Sequence, residues 1–167
     1  SSPVMKDMIS PMENTVYFLP NSDARQSQIY FYIPMGDYNR EENVRREAFN
    51  QYISGGFSGL IMNEIREKNS MAYTAYGFAS SRGLPGAQTY FSGYIGTQND
   101  KAVDAIDLYM KLLTDMPERP GRIDNIKSYL RQSALTDHPD SRNLSLRIAE
   151  WKRRGYTDDP AKEELPL

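Results

Sequence analysis

Residues 72–79 alternate in a way that few folds can accommodate. In an extended chain Ala72, Thr74, Tyr76 and Phe78 share one face, and Tyr73, Ala75, Gly77 and Ala79 share the other. Apart from Tyr73 the second face is small, so a helix can approach it closely. A loop at Ser80 to Gly86, with Gly83, Pro85 and Gly86, leads to a second strand-like run from Gln88 to Thr97, whose centre reads Tyr90-Phe91-Ser92-Gly93-Tyr94-Ile95. The two runs are natural antiparallel neighbours. The helices elsewhere in the chain are then needed as the second layer.

The rest of the chain supplies that layer. Residues 1–13 read as an irregular lead-in. Val16-Tyr17-Phe18-Leu19 is expected to form a short strand, closed by the Pro20-Asn21-Ser22-Asp23 turn cluster. It is expected to make an antiparallel hairpin with Gln28–Ile33, a run apolar enough to be central and ended by Pro34. From Glu41 to Ile53, Val44, Ala48, Phe49, Tyr52 and Ile53 recur at helical spacing, and Gly55-Gly56 stops that helix. A second short helix follows at once. Ser58 is its N-cap, with Phe57 and Met62 placed as a hydrophobic staple. Leu60, Ile61 and Ile65 form its apolar face, Glu64 and Lys68 an i,i+4 pair, and Arg66 and Lys68 complement the dipole in the last turn.

After the second strand, Thr97-Gln98-Asn99-Asp100 fits a capping box. It opens a helix with Val103, Ile106, Met110 and Leu113 on one face, ended by Pro117 and Pro120. Ile123, Ile126 and Leu130 mark another helix. Leu144, Ile148 and Trp151 mark a third, with Lys152, Arg153 and Arg154 at its end and Gly155 as C′ residue. Residues 157–167 read as a tail. Strands in neighbouring pairs with helices that can all cover one face define a single α+β domain of two layers, a mostly antiparallel sheet with helices on one side.

Composition narrows the function classes. With 167 residues, 39% hydrophobic and 25% charged, the chain has the profile of one soluble globular domain. No apolar run approaches the roughly 18–20 residues of a membrane span. A net charge of −2 with interspersed signs gives no case for nucleic acid or an anionic membrane. Absence of cysteine removes disulfides, thiolate metal sites and a cysteine nucleophile, and leaves the compartment, cytoplasm or periplasm, undecided. Most of the twelve tyrosines are expected on the sheet with hydroxyls reaching water. A start at Ser-Ser-Pro without methionine reads as an excised fragment.

The block Leu60-Ile61-x-x-Glu64-Ile65-Arg66-Glu67-Lys68-x-x-x-Ala72-Tyr73 resembles the second-half domain of the insulinase-like, or inverted-zincin, metallopeptidases, peptidase family M16. These include the mitochondrial processing peptidases and the pitrilysin-type enzymes. The likeness runs from about Asn14 to about Tyr156 and weakens away from that block. It implies the LuxS/MPP-like metallohydrolase fold, here truncated at its C-terminus, with a sheet edge left to pair with another copy. It also implies that Arg66 and Tyr73 are supporting catalytic residues that reach into a zinc site held by a first-half domain and contact the substrate carbonyl. That half would lie on the same polypeptide or on a separate subunit, and the two halves together would enclose the peptide substrate. A glycine-rich loop in some relatives contacts substrate, which makes Gly55 and Gly56 further candidates.

A zinc hydrolase needs several His and carboxylate ligands, and inverted zincins carry His-x-x-Glu-His on a helix. This chain has one histidine, His138, in a turn-like Asp137-His138-Pro139-Asp140, so no metal site is expected and the domain is inactive alone. The stretch Glu42-Asn43-Val44-Arg45-Arg46-Glu47-Ala48, where a catalytic sister domain would carry its motif, has no ligand set either. The glycines at 55, 56 and 59 lack the Gly-Lys-Ser/Thr ending of a phosphate loop. Glu64 and Glu67 read as solvated helix residues. On residues alone Arg66 is a dipole-complementing surface arginine and Tyr73 an edge-strand aromatic; the resemblance is what makes them a pair. The alternative from another class is a non-catalytic assembly subunit of the same fold, like the core proteins of respiratory complexes.

Overall fold

The computed structural model describes residues 9–55, 59–137 and 139–164. Three strands, β1 (Gln26–Asp37), β2 (Thr74–Ser81) and β3 (Gln88–Gln98), form an antiparallel sheet in the order β1-β3-β2. A 3₁₀ turn at Arg40–Glu42 leads into α1 (Asn43–Ser54); a π-helix (Met62–Lys68), α2 (Ala102–Thr114), α3 (Gly121–Thr136), α4 (Leu144–Arg153) and α5 (Pro160–Glu164) complete the described elements. The two-layer α+β architecture is the one the pattern predicts. No described helix is long and apolar enough to cross a membrane.

The small face of β2 does what its composition permits. Ala75, Gly77 and Ala79 are buried, while Tyr76 and Phe78 face outward. Register places Gly77 opposite Gly93, and Gly93 opposite Phe31, so one row across the sheet reads Phe31-Gly93-Gly77. The two glycines leave a trough, and the ring of Tyr109 from α2 fills it. That ring stacks on Phe31 at 4.4 Å and 3°, and its hydroxyl donates to the Tyr76 carbonyl at 2.8 Å. A Cβ at Gly93 would stand 2.3 Å from the Tyr109 hydroxyl, and one at Gly77 2.4 Å. Ile53, Ile61, Ile65, Ile95 and Leu112 close the core around it.

The edge of β2 is closed by a helix rather than a strand. Asn50 of α1 donates to the Ala79 carbonyl at 2.9 Å and accepts from the Ala79 amide at 2.7 Å. One turn on, the Ser54 hydroxyl does the same for Gly77, at 2.7 and 3.0 Å. Four helical residues rise about 6.0 Å and two strand residues about 6.8 Å, near enough for one helix face to mimic a neighbouring strand. The opposite face of the sheet carries the row Tyr30-Tyr94-Tyr76, with ring centroids 5.0 and 5.2 Å apart. Tyr30 and Tyr76 are exposed there, but Tyr30, Tyr32, Tyr76, Tyr90 and Tyr94 are the only strand tyrosines among the described residues, so most of the twelve lie off the sheet, contrary to expectation.

Several expectations need correction. β1 is not ended by Pro34 but continues past it to Asp37, with a register shift at Pro34/Gly36, and among the described strands it is an edge, because β3 is central. Glu64 is not a solvated helix residue: its side chain is 15% exposed and pairs with Arg119. Val16–Leu19 is not a strand and makes no hairpin with β1; its side chains are 83–92% exposed, and among the described residues β1 pairs with β3 alone. The second short helix is α-helical only at Leu60 and Ile61 before widening into the π-helix. Thr97 does not cap α2: it belongs to β3, is fully buried, and donates its hydroxyl to the Met71 carbonyl. A 3₁₀ turn at Asn99–Lys101 starts α2 instead. Finally, α2 buries Ala105, Tyr109 and Leu112, leaving Val103 and Met110 exposed, because the glycine trough draws Tyr109 inward and rotates the helix. The Ser58 cap and the Phe57–Met62 staple fall outside the described residues, as does the Lys68 side chain of the expected Glu64–Lys68 pair. Gly155 ends α4 as predicted, with φ +91° and its successor Tyr156 donating to Trp151 at 2.9 Å.

Candidate functional site

Three segments meet at one end of the sheet: the π-helix, the connector into β2, and the end of β3. Ile65 is the inward residue of the π-helix, fully buried in the core, which turns its neighbours Arg66 and Glu67 outward. The helix ends in a wide turn. The Ser70 amide donates to Arg66 at 3.0 Å and the Met71 amide to Ile65 at 2.9 Å, while the Asn69 side chain caps the Glu64 carbonyl. Ser70 takes a left-handed conformation, φ 50°, which a serine adopts only at some cost. That turn aims the Ser70 carbonyl at Lys101, whose ammonium donates to it at 3.3 Å.

The connector is pinned to β3 at two further points. Thr97 holds the Met71 carbonyl, and the Tyr73 amide donates to the Gly96 carbonyl at 2.8 Å. Tyr73 therefore stands just ahead of β2 with its ring half exposed. Its hydroxyl oxygen accepts a hydrogen bond from Gln98 Nε2 at 3.0 Å. The Arg66 guanidinium, also about half exposed, lies 3.7 Å from the Glu67 carboxylate and 3.8 Å from the Met62 sulfur. Beneath, the Glu64 carboxylate pairs with Arg119 and ties the π-helix to the segment between α2 and α3.

Arg66 and Tyr73, seven residues apart in sequence, line the same surface cavity of about 330 Å³. Its other polar walls are Glu67, Ser70, Thr97, Gln98 and Lys101. Two cations and a phenol around one concavity make a set of hydrogen-bond donors suited to a carbonyl oxygen, with Glu67 as the acceptor among them. Gln98 and Lys101 were not singled out from the sequence. Gln98 lies in the stretch that reads as a helix cap and Lys101 directly after it, and the signal that locates them is position, at and just past the end of the strand beside Tyr73.

The remaining candidates stand elsewhere. Gly55 is the C-cap of α1, its amide donating to Gln51 at 2.9 Å; a Cβ there would meet the Gln51 carbonyl at 2.3 Å. Its glycine is thus accounted for by the helix end, and it does not line the cavity. Gly56 and His138 lie outside the described residues. Among the described residues no group of three or more His, Cys, Asp or Glu side chains is arranged to hold a metal ion, so the donors of this site do not fit zinc.

Solved structures share this fold. A peptidase M16 inactive domain from Pseudomonas fluorescens superposes with a TM-score of 0.58 at 18% identity, covering 84% of this chain and 35% of that one. A protease from Helicobacter pylori gives 0.58 at 16% identity, covering 88% and 37%. The chain thus spans little more than a third of the length of either. The inactive peptidase domain of a protein assigned as a zinc protease in Bordetella parapertussis gives 0.54 at 12% identity, covering 84% and 85%. The comparison with curated proteins gives no match. The family model described as the peptidase M16 inactive domain matches residues 8–128, well over half of the chain, and the chain belongs to that family.

Proposed function

We propose that this domain is the metal-free half of a zinc endopeptidase, acting with a zinc-bearing partner half on the same or another polypeptide. The observation that carries the reading is the shared cavity: the Arg66 guanidinium and the Tyr73 phenol open onto one concave surface. Facing a partner's metal site across a peptide chamber, both would donate hydrogen bonds to the substrate carbonyl as it gains negative charge. The substrate would be an extended peptide held as an added strand on a sheet edge. Gly55, at the end of α1, and Gly56 after it would be a second place where this half touches peptide backbone. This chain's part in the chemistry is to bind and orient; no step of bond cleavage is carried by its own residues.

The test uses the domain assembled with its zinc-bearing half and a quenched peptide. Arg66→Ala and Tyr73→Phe should each lower kcat/KM on the order of 10²–10³-fold, the usual effect of removing one oxyanion donor. Zinc content should stay at the wild-type level. Wild-type rates in both variants would end the catalytic reading and favour an assembly subunit.

A further inference from the structure

We infer that Gln98 is a positioning residue for the proposed site, fixing the direction in which the Tyr73 hydroxyl offers its proton. The inference rests on the functional reading above and adds a residue to it. A phenol has one proton and two acceptor sites, whereas an amide nitrogen can only donate. Because Gln98 Nε2 donates to the Tyr73 oxygen at 3.0 Å, the phenol proton cannot point back at that nitrogen and is left for the cavity. The backbone brings the two residues side by side. Gln98 is the last residue of β3, and the Tyr73 amide is held by Gly96 two residues earlier on that strand at 2.8 Å. Amide and phenol are therefore carried on adjacent, ladder-fixed positions.

The other polar groups of the cavity leave that proton available. Glu67, its carboxylate acceptor, has the Arg66 guanidinium 3.7 Å away, and the Ser70 carbonyl takes the Lys101 ammonium. Gln98 is itself exposed, so the fold has little need of its side chain. With its Nε2 turned to the Tyr73 oxygen, Gln98 makes the phenol a one-directional donor before any substrate arrives. Preorganisation of that kind lowers the barrier because nothing has to reorient at the moment charge develops.

The chemistry gives a test that reverses the hydrogen bond. In Gln98→Glu the carboxylate can only accept, so the phenol proton turns toward it and away from the cavity. In the assembled enzyme, kcat should fall roughly as far as in Tyr73→Phe, on the order of 10²-fold, with KM little changed. In the Tyr73→Phe background, Gln98→Glu should cost almost nothing more. Gln98→Leu removes the donor without adding charge. It should lose only about fivefold, since the phenol can then still turn toward substrate, and this loss too should vanish when Tyr73 is Phe. Equal losses from Gln98→Glu in both backgrounds would mean that it acts through charge on Arg66 and Lys101, and would overturn the inference. A wild-type Gln98→Glu beside an impaired Tyr73→Phe would also overturn it while leaving the functional reading intact. Wild-type Tyr73→Phe and Arg66→Ala would remove the reading itself, and the positioning role with it.

Discussion

Gly93→Ala should be among the most damaging single-methyl additions in this chain, and the geometry says why. The new Cβ would stand 2.3 Å from the Tyr109 hydroxyl oxygen, 2.9 Å from Cζ and 3.1 Å from Cε1, closer than van der Waals contact allows. The ring has nowhere to go. It is fully buried, stacked on Phe31, and flanked at Gly77 by a second position with no room for a Cβ. Relief requires α2 to lift or the Tyr109 hydroxyl to leave the Tyr76 carbonyl. Overpacking of this kind costs about 1–3 kcal/mol, and stranding a buried hydroxyl adds about 1–3 kcal/mol. A total of roughly 2–6 kcal/mol is a large share of the 5–15 kcal/mol typical of a domain. At about 2–4 °C per kcal/mol for a chain of this size, Tm should fall by roughly 4–24 °C. Urea unfolding followed by the single tryptophan, Trp151, and by far-UV circular dichroism would measure the free energy directly. The control is Tyr109→Phe, which deletes the atom in the closest contact but keeps Cζ. Gly93→Ala should therefore cost about 1–2 kcal/mol less in the Tyr109→Phe background than in the wild type. A cost below about 0.5 kcal/mol, or strict additivity with Tyr109→Phe, would refute the claim that the glycine row exists to seat that ring.

Two further predictions follow from the same contacts. Asn50→Ala strips both partners from the Ala79 backbone, so stability should drop by about 1–3 kcal/mol in urea titration. The uncovered β2 edge should also raise self-association in light scattering, and a strictly monomeric variant would show that edge protection is not what Asn50 provides. Burial, with the nearby Tyr76 phenol adding to it, pushes the Tyr109 phenol well above the ordinary tyrosine range. The folded value lies above the unfolded one of about 10, so this contribution is complete below about pH 10 and is lost as pH rises beyond it. The wild type should lose up to about 1.4 kcal/mol per pH unit more than Tyr109→Phe between pH 10 and 11, measured by denaturation at each pH.

What could be read from the chain in advance is what depends on local period. Alternation over 72–79 gave the strand and its small inner face, and Gly155 after a basic last turn gave the end of α4, because each signal is complete within a few residues. The failures share the opposite property. Val16–Leu19 has strand composition, but a strand is made by pairing, and the segment does not pair with β1, whose outer edge has no partner among the described strands. Thr97 has a cap's sequence, yet its hydroxyl is taken by Met71, 26 residues away. The widening of the helix at Met62–Lys68 depends on where Met71 and Asn69 find their partners, which no helical period encodes.

The candidate site shows both behaviours at once. An α-helix that simply ran on would put residues seven apart on one face but about 10 Å apart along its axis; here the helix ends at Lys68, before Tyr73. Arg66 and Tyr73 share a cavity because the chain between them is fastened in sequence: Met71 to Ile65 on its own helix, then the Met71 carbonyl to Thr97, then the Tyr73 amide to Gly96. The last two fastenings belong to β3, and Gln98 and Lys101 are the residues that strand delivers next. The Arg-to-Tyr spacing is thus legible as a motif, but its meaning depends on a strand that begins fifteen residues after Tyr73. A substitution that shifted β3 by one residue would leave the motif untouched in sequence and reverse which side chains face the cavity, since a strand presents alternate residues to opposite sides.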